Sequence, residues 1–257
     1  EADGRMFPAT DNSETIIDAI WGAMMAKKVI VRFHKGLQAL QRQDEGWEIL
    51  FQDGSTHQCD KILLACGSIQ KPEQWEWLTR LGHILEPPAP SLFTFNIPDN
   101  SVTALMGVAV PDVSLKIAGT KLMQTGPILI THWGFSGPAV LKTSAFAARV
   151  LQEKKYDATI LINWLKDATE AELKEKFQEQ RQINGKAILW SKNNFGLPRR
   201  LWELFLSRIG ISDTLRWGEL PVTAQQKLIA TLHADDYQMR GKTTYKEEFV
   251  TCGGVSL

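Results

Sequence analysis

The chain has 257 residues, enough for one large domain or two modest ones. Its 44% hydrophobic and 23% charged content is that of an ordinary globular protein. Its 29 basic residues balance 29 acidic ones, which argues against nucleic acid or an anionic membrane as the main partner.

In chain order, "DNSETIIDAIWGAMMAKK" predicts a helix capped by Asp11, with Glu14 completing a capping box and Ile16, Ile17, Ile20 and Met24 on one face. "VIVRF" (29–33) predicts a strand. "LQALQRQ", "WEILFQ" and "HQCDKILLAC" follow as three short strands, separated by turns at Asp44-Glu45-Gly46 and Asp53-Gly54-Ser55. The apolar "KILLA" (61–65) leads into Gly67. A helix is expected in "PEQWEWLTRLG", and "EPPAPS" (86–91) reads as a rigid domain crossing.

From 91 to about 133 the pattern is mostly strand ("SLFTFNI", "TALMGVAV", "VSLKIAG", "KLMQTGPILITHW"), and the glycines and prolines between the runs suggest a barrel or sandwich. "GPAVLKTSAFAARVLQEKK" predicts a helix with Pro138 in its first turn, and "ATILINW" a further strand. Residues 169–232 turn helical, with capping boxes at Thr169/Glu172 and Thr223/Gln226 and a helix in "LPRRLWELFLSRIG". "YQMRGK" and "EEFVTCGGVSL" return to strand. The nine tryptophans are scattered, so packing is their expected role.

Cys59, Cys66 and Cys252 form no disulfide framework, which points to a reducing cytoplasm. No run approaches the roughly 18 apolar residues of a membrane span. The opening "EADGRMFP" lacks the features of a signal peptide and reads as a start in mid-protein.

Most motifs with direct chemistry are absent. No two glycines stand two apart, so there is no dinucleotide fingerprint and no phosphate loop. "GFSGP" (134–138) resembles a nucleophile elbow, but Pro138 stands where the last glycine belongs, and a serine opening a helix is the commoner reading. His57, Cys59 and Cys66 lack the paired spacing of metal ligands, so no metal is expected. Lys192, Arg199, Arg200 and Arg208 among aromatics could suit RNA, but with zero net charge a solvated basic helix face is by far the commoner reading. "KILLACGS" has more content: an apolar strand ending in small residues after a meander is where flavoproteins turn their backbone against the cofactor.

Four stretches together, "DGRMFPATDNSETIIDAI", "KILLACGS", "GPILITHWGFSGPAVLKTSA" and "EEFVTCGGVSL", resemble the BaiN-like (aminoacetone-oxidase-type) bacterial flavoproteins. The run from Thr131 to Ala139 is the most specific match. The resemblance implies an α+β multidomain protein. Residues 1–75 would be part of an FAD-binding two-dinucleotide-fold domain with its β-meander. Residues 76–168 and 233–257 would be a β-barrel insert domain returning to the FAD domain near 250–257, and 169–232 a helical subdomain. The chain would be the interior of such a protein, without the N-terminal glycine fingerprint or the C-terminal FAD-binding segment. "SIQKPEQWEW" replaces the family's glycine-rich loop after Gly67.

The same resemblance implies FAD as cofactor and NAD(P)H as co-substrate, with hydride passing to an unidentified small molecule. Gly4, Arg5, Phe7, Pro8, Leu37, Ala65, Cys66, Gly67, Thr251, Gly253, Gly254 and Val255 would contact the cofactor. Arg5, His132 and Ser136 would serve catalysis: Arg5 as a positive charge, His132 as a proton donor, Ser136 in a helix-opening loop facing the flavin. Gly134, Gly137 and Pro138 shape that loop. Cys66 is expected to pack rather than to do redox chemistry. The chain alone is expected to hold no tightly bound FAD and to show no turnover. The alternatives are a non-enzymatic barrel-plus-helix binding module and an RNA-binding helical module.

Overall fold

A computed structural model describes residues 6–67, 75–98, 101–243 and 250–256. The chain divides into two compact units, Glu1–Ala65 and Cys66–Leu257.

In the first unit, helix α1 (Glu14–Ala26) begins after Ser13, which makes no side-chain cap. Asn12 Oδ1 accepts the Glu14 N–H instead, at 2.9 Å. The expected cap, Asp11, sits in the preceding turn with φ 51°, its N–H donating to Pro8 O. The apolar face exists but is bare: Ile16, Ile17 and Ile20 are 48%, 55% and 58% exposed. Strands β1 (Leu37–Gln43), β2 (Gly46–Phe51) and β3 (Thr56–Cys59) form the expected antiparallel meander. At its second turn Asp53 accepts from the Lys35 ammonium and from the Ser55 hydroxyl and N–H. The Lys35 and Ser55 hydrogen bonds hold its carboxyl well below the usual carboxylate range.

The strands expected at 29–33 and 61–65 are not strands; both segments lack a ladder partner among the described residues. An extended apolar run becomes a strand only when a neighbour takes up its N–H and C=O groups. Leu63 and Leu64 are 93% and 43% exposed in consequence.

The second unit opens with helix α2 (Glu76–Arg80) and strand β4 (Leu85–Ser91). The proline run is therefore not a free crossing. It pairs antiparallel with strand β12 (Val250–Val255), Thr251 opposite Pro90 and Cys252 opposite Ala89, with a bulge between Cys252 and Gly254. A two-stranded ribbon is all edge, so prolines that donate no N–H are tolerated in it.

Seven further strands make one sheet: β5 (Thr94–Asn96), β6 (Ala109–Ile117), β7 (Met123–Ile130), β8 (Gly134–Ser136), β9 (Asp157–Asn163), β10 (Asp235–Arg240) and β11 (Lys242–Thr243). Their order is β10-β9-β6-β7-β8-β5-β11. The expected barrel is not closed by strand pairing, since no ladder joins β10 to β11; the two edges are joined through Gly241 in the chain. Two expected strands, "TALMGVAV" and "VSLKIAG", are redistributed. Ser101–Leu105 is a 3-10 turn, and Ala109–Ile117 is one strand carrying a bulge between Val110 and Val113, at Pro111-Asp112.

The helix expected after Gly137 is two helices, α3 (Pro138–Phe146) and α4 (Ala148–Glu153), broken at Ala147. Helices α5 (Glu170–Asn184), α6 (Arg199–Ile209) and α7 (Val222–Ala234) follow. Their apolar faces merge with the sheet into one core, in which Trp164, Trp202 and Trp217 are fully buried. Thr169 and Glu172 form a complete capping box on α5, and its hydrogen bonds lower the Glu172 carboxyl. No box forms at Thr223, because α7 starts earlier, after Pro221. Thr169→Ala is expected to cost about 1 kcal/mol, read as a lower denaturation midpoint with an unchanged m-value.

A buried polar cluster ties α6 to the sheet. Asp235 Oδ1 accepts from Arg208 Nη2 at 3.0 Å. Its Oδ2 accepts from Arg208 Nη1 at 3.1 Å, Trp164 Nε1 at 3.0 Å and the Tyr237 hydroxyl. Burial first, and the Asp235 charge second, push the Tyr237 phenol well above its ordinary 10.0. The sign of the resulting pH effect is fixed. Below pH about 10 both states keep the proton and its contribution is whole. Above that the unfolded chain releases its proton first, so stability falls as pH rises. Tyr237→Phe is expected to flatten the alkaline fall in urea midpoint above pH about 10, from a lower starting value.

Candidate functional site

The second unit brings four of the expected cofactor residues, Thr251, Gly253, Gly254 and Val255, together on β12. Two of them, Thr251 and Gly254, line an apolar cleft of ≈ 120 Å³ together with Trp75, Leu85, Glu86, Pro87 and Pro88. The two glycines differ in cause. A Cβ on Gly253 (φ 118°) would stand 2.6 Å from Pro87 O and 3.0 Å from Arg149 Nη2, so this glycine is required by the chain's own ribbon. A Cβ on Gly254 (φ 116°) would meet only Trp75 Cη2, at 3.7 Å. Gly254 thus keeps the cleft open rather than letting two backbones close.

Pockets that enclose a drug-sized ligand start at about 300 Å³. This cleft is smaller, too small to enclose a dinucleotide. Its aromatic and prolyl walls suit a ring edge, and the Arg149 guanidinium beside Gly253 puts positive charge next to the ribbon.

"GFSGP" lies on the seven-stranded sheet. Gly134 opens β8 between β5 and β7; a Cβ there would overlap the Phe95 carbonyl oxygen and stand 2.7 Å from Ile97 N. Gly137 (φ 98°) is the N-cap of α3, and its Cβ would stand 2.9 Å from Pro127 O. The turn before it is sealed by Thr131, whose N–H donates to Gly134 O at 2.8 Å. His132 is exposed at its tip, edge-on to Trp133 with ring centroids 4.4 Å apart. Ser136 is half-buried, and among the described residues no hydrogen bond joins it to His132. α3 packs on β4 through Phe93 N–H to Ser144 Oγ, 2.9 Å, at the strand's end.

The other expected residues are spread out. Phe7 (63% exposed), the half-buried Pro8, Leu37 at the start of β1 and exposed Ala65 belong to the first unit. Cys66 and Gly67 are exposed at the start of the second unit. Gly4, Arg5 and the 68–74 loop lie outside the described residues. Among the described residues no three His, Cys, Asp or Glu side chains cluster as metal ligands. Three of the four basic side chains considered for RNA are engaged locally: Arg199 with Glu203, Arg200 with Ala104 O, and Arg208 with Asp235. Among the described residues no helix is long and apolar enough to cross a membrane.

Sequence reasoning missed Trp75, Arg149 and the role of Pro87 and Pro88. Trp75 and Arg149 carry no sequence signal beyond helix membership. The prolines carry one: a short extended run that cannot enter a central strand needs an edge partner, and the terminal glycine run is another such segment.

Residues 89–250 match the HI0933-like protein barrel and H2TH domain, and the chain belongs to that family, which lies in the FAD-dependent oxidoreductase superfamily. Among curated proteins it is 28% identical to a ribosomal RNA dihydrouridine synthase of Escherichia coli, over 98% of this chain and 62% of that protein. It is 24% identical to a ribosomal RNA dihydrouridine synthase of Haemophilus influenzae, over 89% of this chain and 56% of that protein. A 3-dehydro-bile acid delta(4,6)-reductase of Clostridium scindens is 23% identical over 68% of this chain and 44% of its own length. The chain thus spans 62% or less of these relatives.

Proposed function

We propose that the protein carrying this chain is a flavin-dependent reductase of a carbon–carbon double bond conjugated to a carbonyl, acting on a uridine of ribosomal RNA. The observation that carries the reading is the chemistry common to the two kinds of named relative. A uridine that becomes dihydrouridine and a 3-dehydro bile acid with delta(4,6) unsaturation both offer an alkene conjugated to C=O. The more similar relatives bear the ribosomal RNA name, which favours a nucleic-acid substrate over the small molecule that the resemblance implied, balanced charge notwithstanding.

FAD, when bound, supplies the hydride, with NAD(P)H restoring it. This chain's residues position and polarise. The Trp75, Pro87 and Gly254 cleft takes one edge of the ring, and Thr251, Gly253 and Val255 line the same strand. Arg149 provides positive charge for the reduced, anionic ring, the role that the resemblance gives to Arg5. The half-buried Ser136 just before α3 offers its hydroxyl to the substrate carbonyl, whose growing negative charge it stabilises. His132 delivers the proton to the second alkene carbon. The likeness to the BaiN-like flavoproteins would further assign cofactor contacts to Gly4, Phe7, Pro8, Leu37, Ala65, Cys66 and Gly67.

Nucleoside mass spectrometry of ribosomal RNA tests the substrate. Disrupting the gene is expected to remove one dihydrouridine, and the gene in trans to restore it. Ribosomal RNA with unchanged dihydrouridine would contradict the RNA assignment.

A further inference from the structure

We propose that the outer face of the seven-stranded sheet carries a subsite for one ribonucleotide of an RNA strand, its phosphate on Lys116 and its 2′-hydroxyl on Asp167, beside His233. The proposal rests on the RNA reading above and adds a second contact region to it.

A cleft of ≈ 330 Å³ lies there, lined by Ser114, Lys116, Met123, Leu161, Asn163, Asp167, His233 and Ala234. Alternation along β6 puts Val113, Leu115 and Ile117 in the core. Lys116 therefore projects from the opposite face, together with the hydroxyl of Ser114. Ladder pairing arranges the lining in two rows. Lys116 stands between Met123 and Leu161, and Ser114 between Thr125 and Asn163. The rows are about 7 Å apart along the strand.

The polar row is oriented from behind. His233 Nδ1 lies 2.8 Å from Ala168 O, which accepts and so fixes the proton on Nδ1. His233 Nε2 is then an acceptor with no partner among the described residues. Asn163 is held by Ala168 O (2.9 Å) and the Leu165 N–H (3.1 Å). Asp167 takes the Ser114 hydroxyl on Oδ1 at 2.7 Å and leaves Oδ2 without a hydrogen bond among the described residues. It sits in a left-handed pair, Lys166 at φ 39° and Asp167 at φ 56°, a conformation that costs energy at non-glycine residues and concentrates at functional sites. Lys166 is paired with Asp112, whereas Lys116 makes no ion pair among the described residues.

These groups define one kind of ligand. Two neighbouring acceptors, Asp167 Oδ2 and His233 Nε2, call for a hydroxyl donor, and a ribose within a strand offers one, its 2′-hydroxyl. One free ammonium beside two apolar side chains calls for an anion carried on a partly apolar body. A ribose phosphate meets both requirements, whereas a deoxyribose phosphate lacks the 2′-hydroxyl donor. The cleft is of mononucleotide size and its rim is open, with Met123 49% exposed, so a bound nucleotide stays continuous with a strand on either side.

The test is a binding titration of the whole chain with a uridine heptamer, the matching deoxyuridine heptamer, uridine monophosphate and inorganic phosphate. The ribose heptamer is expected to bind best, by roughly tenfold over its deoxy counterpart, the worth of one good hydrogen bond to a charged group. Asp167→Asn, which the left-handed backbone tolerates, is expected to erase that preference. Lys116→Gln should weaken both heptamers about tenfold. Equal binding of ribose and deoxyribose, or heptamer binding indifferent to Lys116→Gln, overturns the subsite. A heptamer bound no better than uridine monophosphate assigns the cleft to free nucleotides and overturns the strand reading. No flavin or turnover enters this titration. Its failure therefore leaves the reductase reading standing, whereas unchanged ribosomal dihydrouridine would contradict the RNA assignment.

Discussion

Asp235→Ala is expected to destabilise the second unit by about 3–5 kcal/mol, the usual cost of breaking a buried pair from one side. Asp235 is 3% exposed and accepts from Arg208, Trp164 and Tyr237. Alanine leaves three donors facing a small void. Trp164 and Tyr237 are fully buried and cannot turn to water, and each unsatisfied group carries a desolvation penalty of about 1–3 kcal/mol. Arg208 is about a third exposed and can rehydrate, which places its share at the lower end. Differential scanning calorimetry should show the midpoint lowered by roughly 10 °C. Asp235→Asn keeps an acceptor for Trp164 and should fall between the two. Equal midpoints for Asp235→Ala and wild type would mean that α6 is held by apolar packing alone.

Gly134→Ala is expected to be as severe, at least about 3 kcal/mol, with most of the protein insoluble on expression. The obstruction is backbone, not a side chain that can swing away: the new Cβ would run into the Phe95 carbonyl and the Ile97 nitrogen. Relieving it means parting β8 from β5, which breaks the pairs Phe95–Phe135 and Asn96–Gly134. Gly254→Ala is the control. Its φ of 116° is also unfavourable to alanine, but the nearest atom is a Trp75 ring carbon at 3.7 Å, so its cost should stay near 1 kcal/mol. Comparable thermal midpoints for the two variants would refute the close-approach account of Gly134.

The elements that could be read from the sequence were those whose signals are local. The meander needed only its two turns. α5 and α6 needed a capping box and an apolar stripe, and Gly210 ends α6 with φ 77°. Elements that depend on distant partners were misread. "VIVRF" and "KILLA" have strand composition but no ladder. "EPPAPS" has linker composition but gains a partner some 160 residues away, as Ser91 pairs with Val250. The break at Ala147 and the loss of the Thr223 box are choices among near-equal helix starts and stops, which sequence periodicity does not separate.

The site was legible in part. "TCGGVSL" pointed to a close approach, and the structure supplies two kinds. Gly253 approaches β4, and Gly254 leaves an opening beside Trp75. The sequence could not divide these roles, because both glycines have the same composition and the same positive φ. "GFSGP" is likewise doubly determined: its glycines are required by sheet packing, whatever chemistry His132 and Ser136 perform beside them.

The visible spectrum of the protein purified from its own gene is the most direct measurement of the reductase reading. Wild type is expected to carry a flavin band that reduced nicotinamide bleaches under anaerobic conditions. Gly254→Leu, which fills the cleft beside Trp75 while leaving the β4 contacts of Gly253 in place, is expected to lose most of that band. Purified protein without flavin, or Gly254→Leu with full flavin content, would contradict it.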